Sequence, residues 1–141
     1  MLKNIPSVLS PDLLKVLMEM GHGDELVIAD GNFPSASLAN RLIRLDGHGT
    51  ELVLESILKL FPLDKLCEKP VGLMEVADGD DVIPTIWQEY EGILKSSGEE
   101  FGSFEMIERS KFYDRSKKAY AIVATGESAL YANIILRKGV I

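Results

Sequence analysis

Apolar positions change their period several times along the chain, and each change marks an element. In SPDLLKVLMEMGHG, Leu13, Leu14, Leu17 and Met18 fall on one helical face. Ser10 can cap that helix, Pro11 takes the first helical position where its missing N–H costs nothing, and Gly21 follows the last turn. ELVIADGNFP is a compact apolar run ending at Asp30 and a Gly, Asn, Pro turn cluster, the pattern of a buried strand entering a loop. Helical spacing returns at Leu54, Ile57, Leu58 and Phe61, with Thr50 as a cap and Pro62 as a stop. VGLMEVAD, residues 71–78, predicts a strand, and Ile83 to Gly98 a helix with Pro84 near its start. FEMIER alternates as a half-buried strand, and SKFYDRSKKA predicts a short helix capped by Ser110. At the C-terminus, AYAIVATG and YANIILRKGVI read as two strands joined by the short connection ESAL.

Strands alternating with helices predict an α/β fold, a three-layer sandwich in which a mostly parallel, mixed sheet is covered by helices on both faces. The closing strand lies close enough to its predecessor to run antiparallel. Nothing in the chain resembles a linker, so residues 1–141 are expected to form one domain. Ligands in such folds gather beyond the carboxyl ends of strands, which draws attention to Asp30 and Arg109.

Charge narrows the partners. With 22 acidic against 15 basic residues the net charge is −7, which opposes binding to phosphate backbones, so neither nucleic acid nor a membrane surface is expected as a partner. Arg109, Lys111, Arg115, Lys117 and Lys118 do gather, but Glu105, Glu108 and Asp114 sit among them, as on a mixed solvated face. The first residues lack a secretory pattern, no apolar run approaches the roughly 20 residues that a bilayer requires, and Cys67 has no second cysteine to pair with. A cytoplasmic location is the expectation.

Candidate chemistry centres on a word that occurs twice, GHGDELV at 21–27 and GHGTELV at 47–53, which carries both histidines of the chain. The residues downstream of each copy separate them. His22 precedes a strand that delivers Asp30, and its imidazole can exchange a proton near neutral pH; alternatively Gly21 is a left-handed cap and His22 only meets the helix dipole. His48 precedes a helix and reads as a loop residue. Tyr131 and Asn133, two apart on a predicted strand, project to one side, where an aromatic face, a hydroxyl and an amide suit a polyhydroxylated ligand. A tyrosine packed on the sheet and an asparagine bonded to a loop fit the spacing equally. Arg109 and Tyr113 can share a face of the next turn, although an ion pair of Arg109 with Glu105 or Asp114 is the simpler reading. Asp12, Asp24, Glu25, Asp78, Asp80 and Asp81 lack metal-ligand spacing and read as solvated loop acids. No phosphate loop, GxSxG, HExxH or CxxC motif is present.

Three segments, MGHGDELVIADGNFP, the pair Glu108–Arg109 with FYDRSKKA after it, and ATGESALYANIILRKGVI, resemble the ribose pyranase and fucose mutarotase family, in its fucose mutarotase branch. The resemblance runs over essentially the whole chain. It implies an isomerase that interconverts the α and β anomers of a free monosaccharide, foremost L-fucose, with no cofactor and no metal, in a ring-shaped homodecamer. It further implies His22 as the general acid, Asp30, Arg109, Tyr131 and Asn133 as groups holding the sugar hydroxyls, and Tyr113 as a further contact. Family pockets lie near subunit contacts. The pyranase branch typically has a histidine near the position filled here by Arg109, which favours the fucose side. Two alternatives stand beside this one: a ribose pyranase working between pyranose and furanose, and a non-catalytic monosaccharide-binding module.

Overall fold

The computed structural model describes residues 1–141. Its elements are α1 (Pro11–Glu19), β1 (Glu25–Ala29), α2 (Ser35–Leu38), β2 (Leu42–Leu45), α3 (Thr50–Leu58), β3 (Val71–Met74), α4 (Ile86–Ser96), β4 (Glu105–Ile107), α5 (Arg109–Lys118), β5 (Ala121–Thr125) and β6 (Ile134–Arg137). The six strands make one mixed sheet in the order β2-β5-β1-β6-β3-β4. Strands β2, β5 and β1 are mutually parallel, as are β3 and β4, and β6 runs antiparallel between β1 and β3. The closing strand is therefore antiparallel, but it does not pair with β5: β1 lies between them.

Strands buried on both faces explain the near-continuous apolar runs. Along β1, Leu26 and Ile28 face one layer while Val27 and Ala29 face the other, as strand alternation requires. The first layer is the larger: Leu13 and Leu17 of α1, Leu54 and Ile57 of α3, and Tyr90 and Leu94 of α4 pack there. The second is smaller, built from Phe33, Met74, Ile107, Phe112, Ile122 and Ile135 under α5. Each fully buried large aliphatic side chain contributes ~1.5–3 kcal/mol, and most of these are inaccessible to solvent. No helix is long and apolar enough to cross a membrane.

Several local expectations are corrected. Ser10 does cap α1, accepting from the Leu13 N–H at 3.2 Å, but Val16 rather than Met18 completes the buried face, and Met18 is 84% exposed. The left-handed glycine after α1 is Gly23 (φ 86°), not Gly21. Helix α5 is capped by Glu108, whose carboxylate accepts from the N–H groups of Ser110 and Lys111, so Arg109 is its first residue. Thr50 is the first residue of α3 and not its cap, and its hydroxyl bonds to Glu127. Strand β2 and the one-turn α2 carry too little pattern to be foreseen, since only Ile43 and Leu45 of β2 are buried.

Candidate active site

The sheet topology gathers the site. Because β6 opposes its neighbours, its first residues lie at the same sheet edge as the carboxyl ends of β1 and β3. There the chain leaves β1 towards β2 on one side and returns as β3 on the other, a switch point of the kind where open α/β sheets leave a crevice. A cavity of about 240 Å³ occupies it. Asp30, Arg109, Tyr113, Tyr131 and Asn133 all line this cavity, with Asn32, Phe33, Met74, Asp80 and Leu130 completing its wall. A larger groove between α3 and α4 is lined by Glu55, Lys59 and Glu89 and contains none of the predicted residues.

Asp30 is 6% exposed. Its Oδ1 accepts from the Asn32 N–H at 2.9 Å, a local turn that arises directly from the DGN sequence. Its own N–H donates to Asn133 Oδ1 at 2.8 Å, which fixes the Asn133 amide and leaves the NH₂ as its free donor. Burial pushes the Asp30 carboxyl above its ordinary value, although hydrogen bonds from Asn32, Phe33, Ala132 and Asn133 oppose this. Arg109 has no carboxylate partner. Its Nε donates to the Tyr113 hydroxyl at 3.3 Å, one helical turn on, while Arg115 takes the ion pairs with Glu105 and Glu25. The Tyr113 ring packs against Phe33, centroids 5.5 Å apart, and Phe33 packs edge-on to Phe112 at 5.9 Å.

Tyr131 and Asn133 precede β6 rather than lying on it, and Tyr131 adopts φ 57°, a left-handed conformation uncommon for a tyrosine. Neighbours hold it there. Trp87 Nε1 donates to the Tyr131 carbonyl at 2.8 Å, and the buried Tyr90 hydroxyl donates to the next carbonyl, Ala132, at 2.6 Å. Tyr90 also shares a 2.5 Å hydrogen bond with Thr50 Oγ1, and Glu127 ties Thr50 to the same loop. The Tyr131 hydroxyl donates to Asp80 at 2.6 Å and accepts from the Ala77 N–H at 3.3 Å, so one of the apparent loop acids closes the cavity wall. Tyr90→Phe strips the Ala132 carbonyl and Thr50 of a buried partner. It is expected to lower stability by ~1–3 kcal/mol and to weaken ligand binding through the Tyr131–Asn133 loop; thermal denaturation and a ligand titration check both effects.

His22 is not in this cavity. It precedes β1 whereas Asp30 comes after it, and at ~3.3 Å per residue the strand alone separates them by roughly 16 Å. At that opposite edge the His22 ring, exposed on one side, lies 3.2 Å through Nε2 from Asp64 Oδ1. His48 is exposed in the loop before α3, where its carbonyl accepts from the Gly126 N–H. The structure thus brings together five of the six candidate residues and holds the sixth apart. Among the residues that sequence reasoning missed, Asn32 and Phe33 stood in the DGNFP turn, and that turn chemistry was the available signal. Met74, Asp80 and Leu130 gave none.

The model of the RbsD / FucU transport protein family matches residues 3–141. The chain belongs to this family. It is 49% identical over 146 residues to the human protein named fucose mutarotase, covering 99% of this chain and 94% of the relative. Among solved structures it is similar to the fucose mutarotase from Streptococcus pneumoniae in complex with L-fucose, at 56% identity and a TM-score of 0.95, with 99% of each chain covered. RbsD from Bacillus subtilis, complexed with D-ribose, is 26% identical with a TM-score of 0.74, covering 100% of this chain and 99% of that one.

Proposed function

We propose that this protein is a cofactor-independent isomerase, an L-fucose mutarotase that speeds the exchange of α and β anomers of the free sugar. The observation that carries it is the cavity at the β1/β3 switch point, where one buried carboxylate, an amide donor, an unpaired guanidinium and two tyrosines surround a space walled by Phe33, Met74 and Leu130. Polar groups of both hydrogen-bonding senses suit sugar hydroxyls, and the apolar wall suits the methyl group of a 6-deoxy sugar. Similarity to fucose mutarotases at 49–56% identity over nearly the whole chain supports the same reading.

Anomers interconvert by ring opening. A proton reaches the ring oxygen as its bond to the anomeric carbon breaks, the anomeric hydroxyl loses its proton to become the aldehyde, the aldehyde rotates, and the steps reverse. His22 is the proposed acid at the ring oxygen. Asp30 accepts from one hydroxyl, Asn133 and Arg109 donate to others, and Tyr131 and Tyr113 supply further contacts. Since His22 lies at the far edge of its own sheet, the site is completed by His22 of a neighbouring copy in a homo-oligomer, a decamer by resemblance. Between α1 and the C-terminal residues, Leu2, Leu14, Met18, Leu60, Val140 and Ile141 line an exposed apolar groove of about 660 Å³, the kind of surface that oligomers cover. The lone Cys67 fits a reducing compartment, and the cytoplasm is its proposed location.

Magnetisation-transfer NMR tests the function directly, because it detects exchange between anomeric proton signals without net conversion. Catalysed exchange is expected for L-fucose. L-Galactose, which carries a hydroxyl on the carbon that is a methyl in fucose, should exchange at least ~5-fold less efficiently, because burying a hydroxyl without a partner against an apolar wall costs ~1–3 kcal/mol. Exchange of ribose ring forms alone would make the protein a pyranase, and binding without exchange would make it a sugar-binding module.

A further inference from the structure

The hydroxyl of Tyr131 is fixed in direction as well as in place. Of the acids in the DGDD run, Asp80 alone lines the cavity. Its N–H donates to the Ala77 carbonyl at 3.0 Å across Gly79, where the chain turns with φ 84°, and its Oδ1 accepts from the Val82 N–H at 3.1 Å. That leaves Oδ2 for the Tyr131 hydroxyl, 2.6 Å away. Hydrogen bonds from Tyr131 and Val82 hold the Asp80 carboxyl below its ordinary value. An ionised carboxylate only accepts, so the proton in this bond belongs to Tyr131. Of the two lone pairs on the phenol oxygen, one accepts from the Ala77 N–H at 3.3 Å and the other is left for a ligand. The other end of the residue is held as well, since Trp87 Nε1 donates to its carbonyl at 2.8 Å.

We propose that Asp80 is the positioning residue of Tyr131 and a determinant of specificity: by engaging the phenol O–H it makes Tyr131 a fixed acceptor, so the sugar hydroxyl that meets it must donate. The inference rests on reading Tyr131 as a contact of the sugar. It gives each of the four main polar groups one sense. Asp30 and Tyr131 accept, whereas Arg109, which has no acceptor, and Asn133, whose Oδ1 is taken by the Asp30 N–H, both donate. A sugar is matched by such a site only when its own donors and acceptors fall in that order, since two like groups facing each other stay unpaired. Asp80→Asn reverses one of the four. The asparagine keeps its oxygen on the Val82 N–H, because the opposite orientation would set two donors face to face, and so it turns its NH₂ to the Tyr131 oxygen. With the Ala77 N–H on the other lone pair, that oxygen then has nothing left with which to accept from a sugar.

The test compares L-fucose affinity, measured by calorimetry, in the full-length wild type, D80N, D80A, Y131F and the double variant D80N/Y131F. D80N is expected to bind ~3–10-fold more weakly, the worth of one hydrogen bond, and Y131F to lose a similar factor. In the Y131F background D80N should cost nothing further, because the group it misdirects is gone. D80A separates positioning from support of the loop. It also removes the acceptor for the Val82 N–H, so a loop-supporting role would make it the worse variant, but it leaves the Tyr131 oxygen a lone pair and should therefore bind better than D80N. An independent readout is the Tyr131 phenol itself, followed by ¹³Cζ NMR. Asp80 is the foremost influence holding its pKa above the ordinary value, against the Ala77 N–H and Arg109, so the phenol should ionise at lower pH in D80N. Wild-type affinity in D80N, a D80N loss that persists in Y131F, or D80A binding more weakly than D80N would each overturn the inference. Y131F binding as tightly as the wild type would instead remove Tyr131 from the sugar's contacts, and the inference would fall with the reading beneath it.

Discussion

Replacing His22 with alanine is expected to slow L-fucose anomer exchange by ~10²–10⁴-fold, the usual contribution of a positioned acid or base, with sugar affinity changed little. The affinity should survive because the groups proposed to hold the sugar's hydroxyls, Asp30, Arg109, Tyr131 and Asn133, all line the cavity and are untouched by the substitution. The same geometry gives a sharper expectation. If each site takes its histidine from one copy and its cavity from another, co-expressing H22A with N133A should recover activity that neither variant has alone. In a random mixture about a quarter of the sites would pair an intact histidine with an intact cavity. Mixed assemblies as inactive as their parents would mean that the two halves never meet, and the oligomeric reading of the site would fall with them. Sedimentation of the same samples separates that outcome from a failure to assemble.

The split between His22 and Asp30 marks where sequence reasoning stopped. Both residues were legible, since a histidine between glycines and a carboxylate closing an apolar run are local patterns. The strand between them was also legible, and a five-residue strand already implies that its flanking residues lie at opposite sheet edges. What no local pattern carries is a contact between copies. The α/β class and the antiparallel last strand were readable from alternation and spacing, whereas the insertion of β6 between β1 and β3 depends on which edges fit, a property of the whole sheet. Tyr131 shows a different limit. Period-two spacing put it on a strand with Asn133, but hydrogen bonds from Trp87 and Tyr90, more than forty residues away, hold the chain there in a left-handed turn. Both side chains still reach the cavity, for a reason that the alternation did not contain. Asp64 gave no signal at all, because the partners that hold it buried, Arg137 and His22, are distant in sequence.

Asp30→Asn is expected to weaken L-fucose binding by ~10–100-fold, the value of a hydrogen bond to a charged acceptor, without unfolding the protein. Asparagine keeps an oxygen that can accept from the Asn32 N–H, so the turn survives. The pKa sets the sign of the stability change. Burial raises the folded-state value of Asp30 above its ordinary 3.8, so the folded protein holds this proton more tightly than the unfolded chain. The stability from that tighter hold is fully present below the unfolded value and is lost as pH rises through the raised folded value. Above that window the wild type keeps a buried charge that D30N lacks, so D30N should denature at the same or a higher temperature at neutral pH. Binding has the opposite pH dependence, since only the ionised carboxylate accepts freely from a sugar hydroxyl. Wild-type affinity should therefore strengthen as pH rises through the raised value, and D30N affinity should stay flat over the same range. Calorimetric titrations of both proteins from acid to neutral pH make the comparison, and parallel profiles would remove Asp30 from the sugar's contacts. A residue that weakens the fold at the pH where it strengthens binding is retained for its ligand, the trade that active sites commonly make against stability.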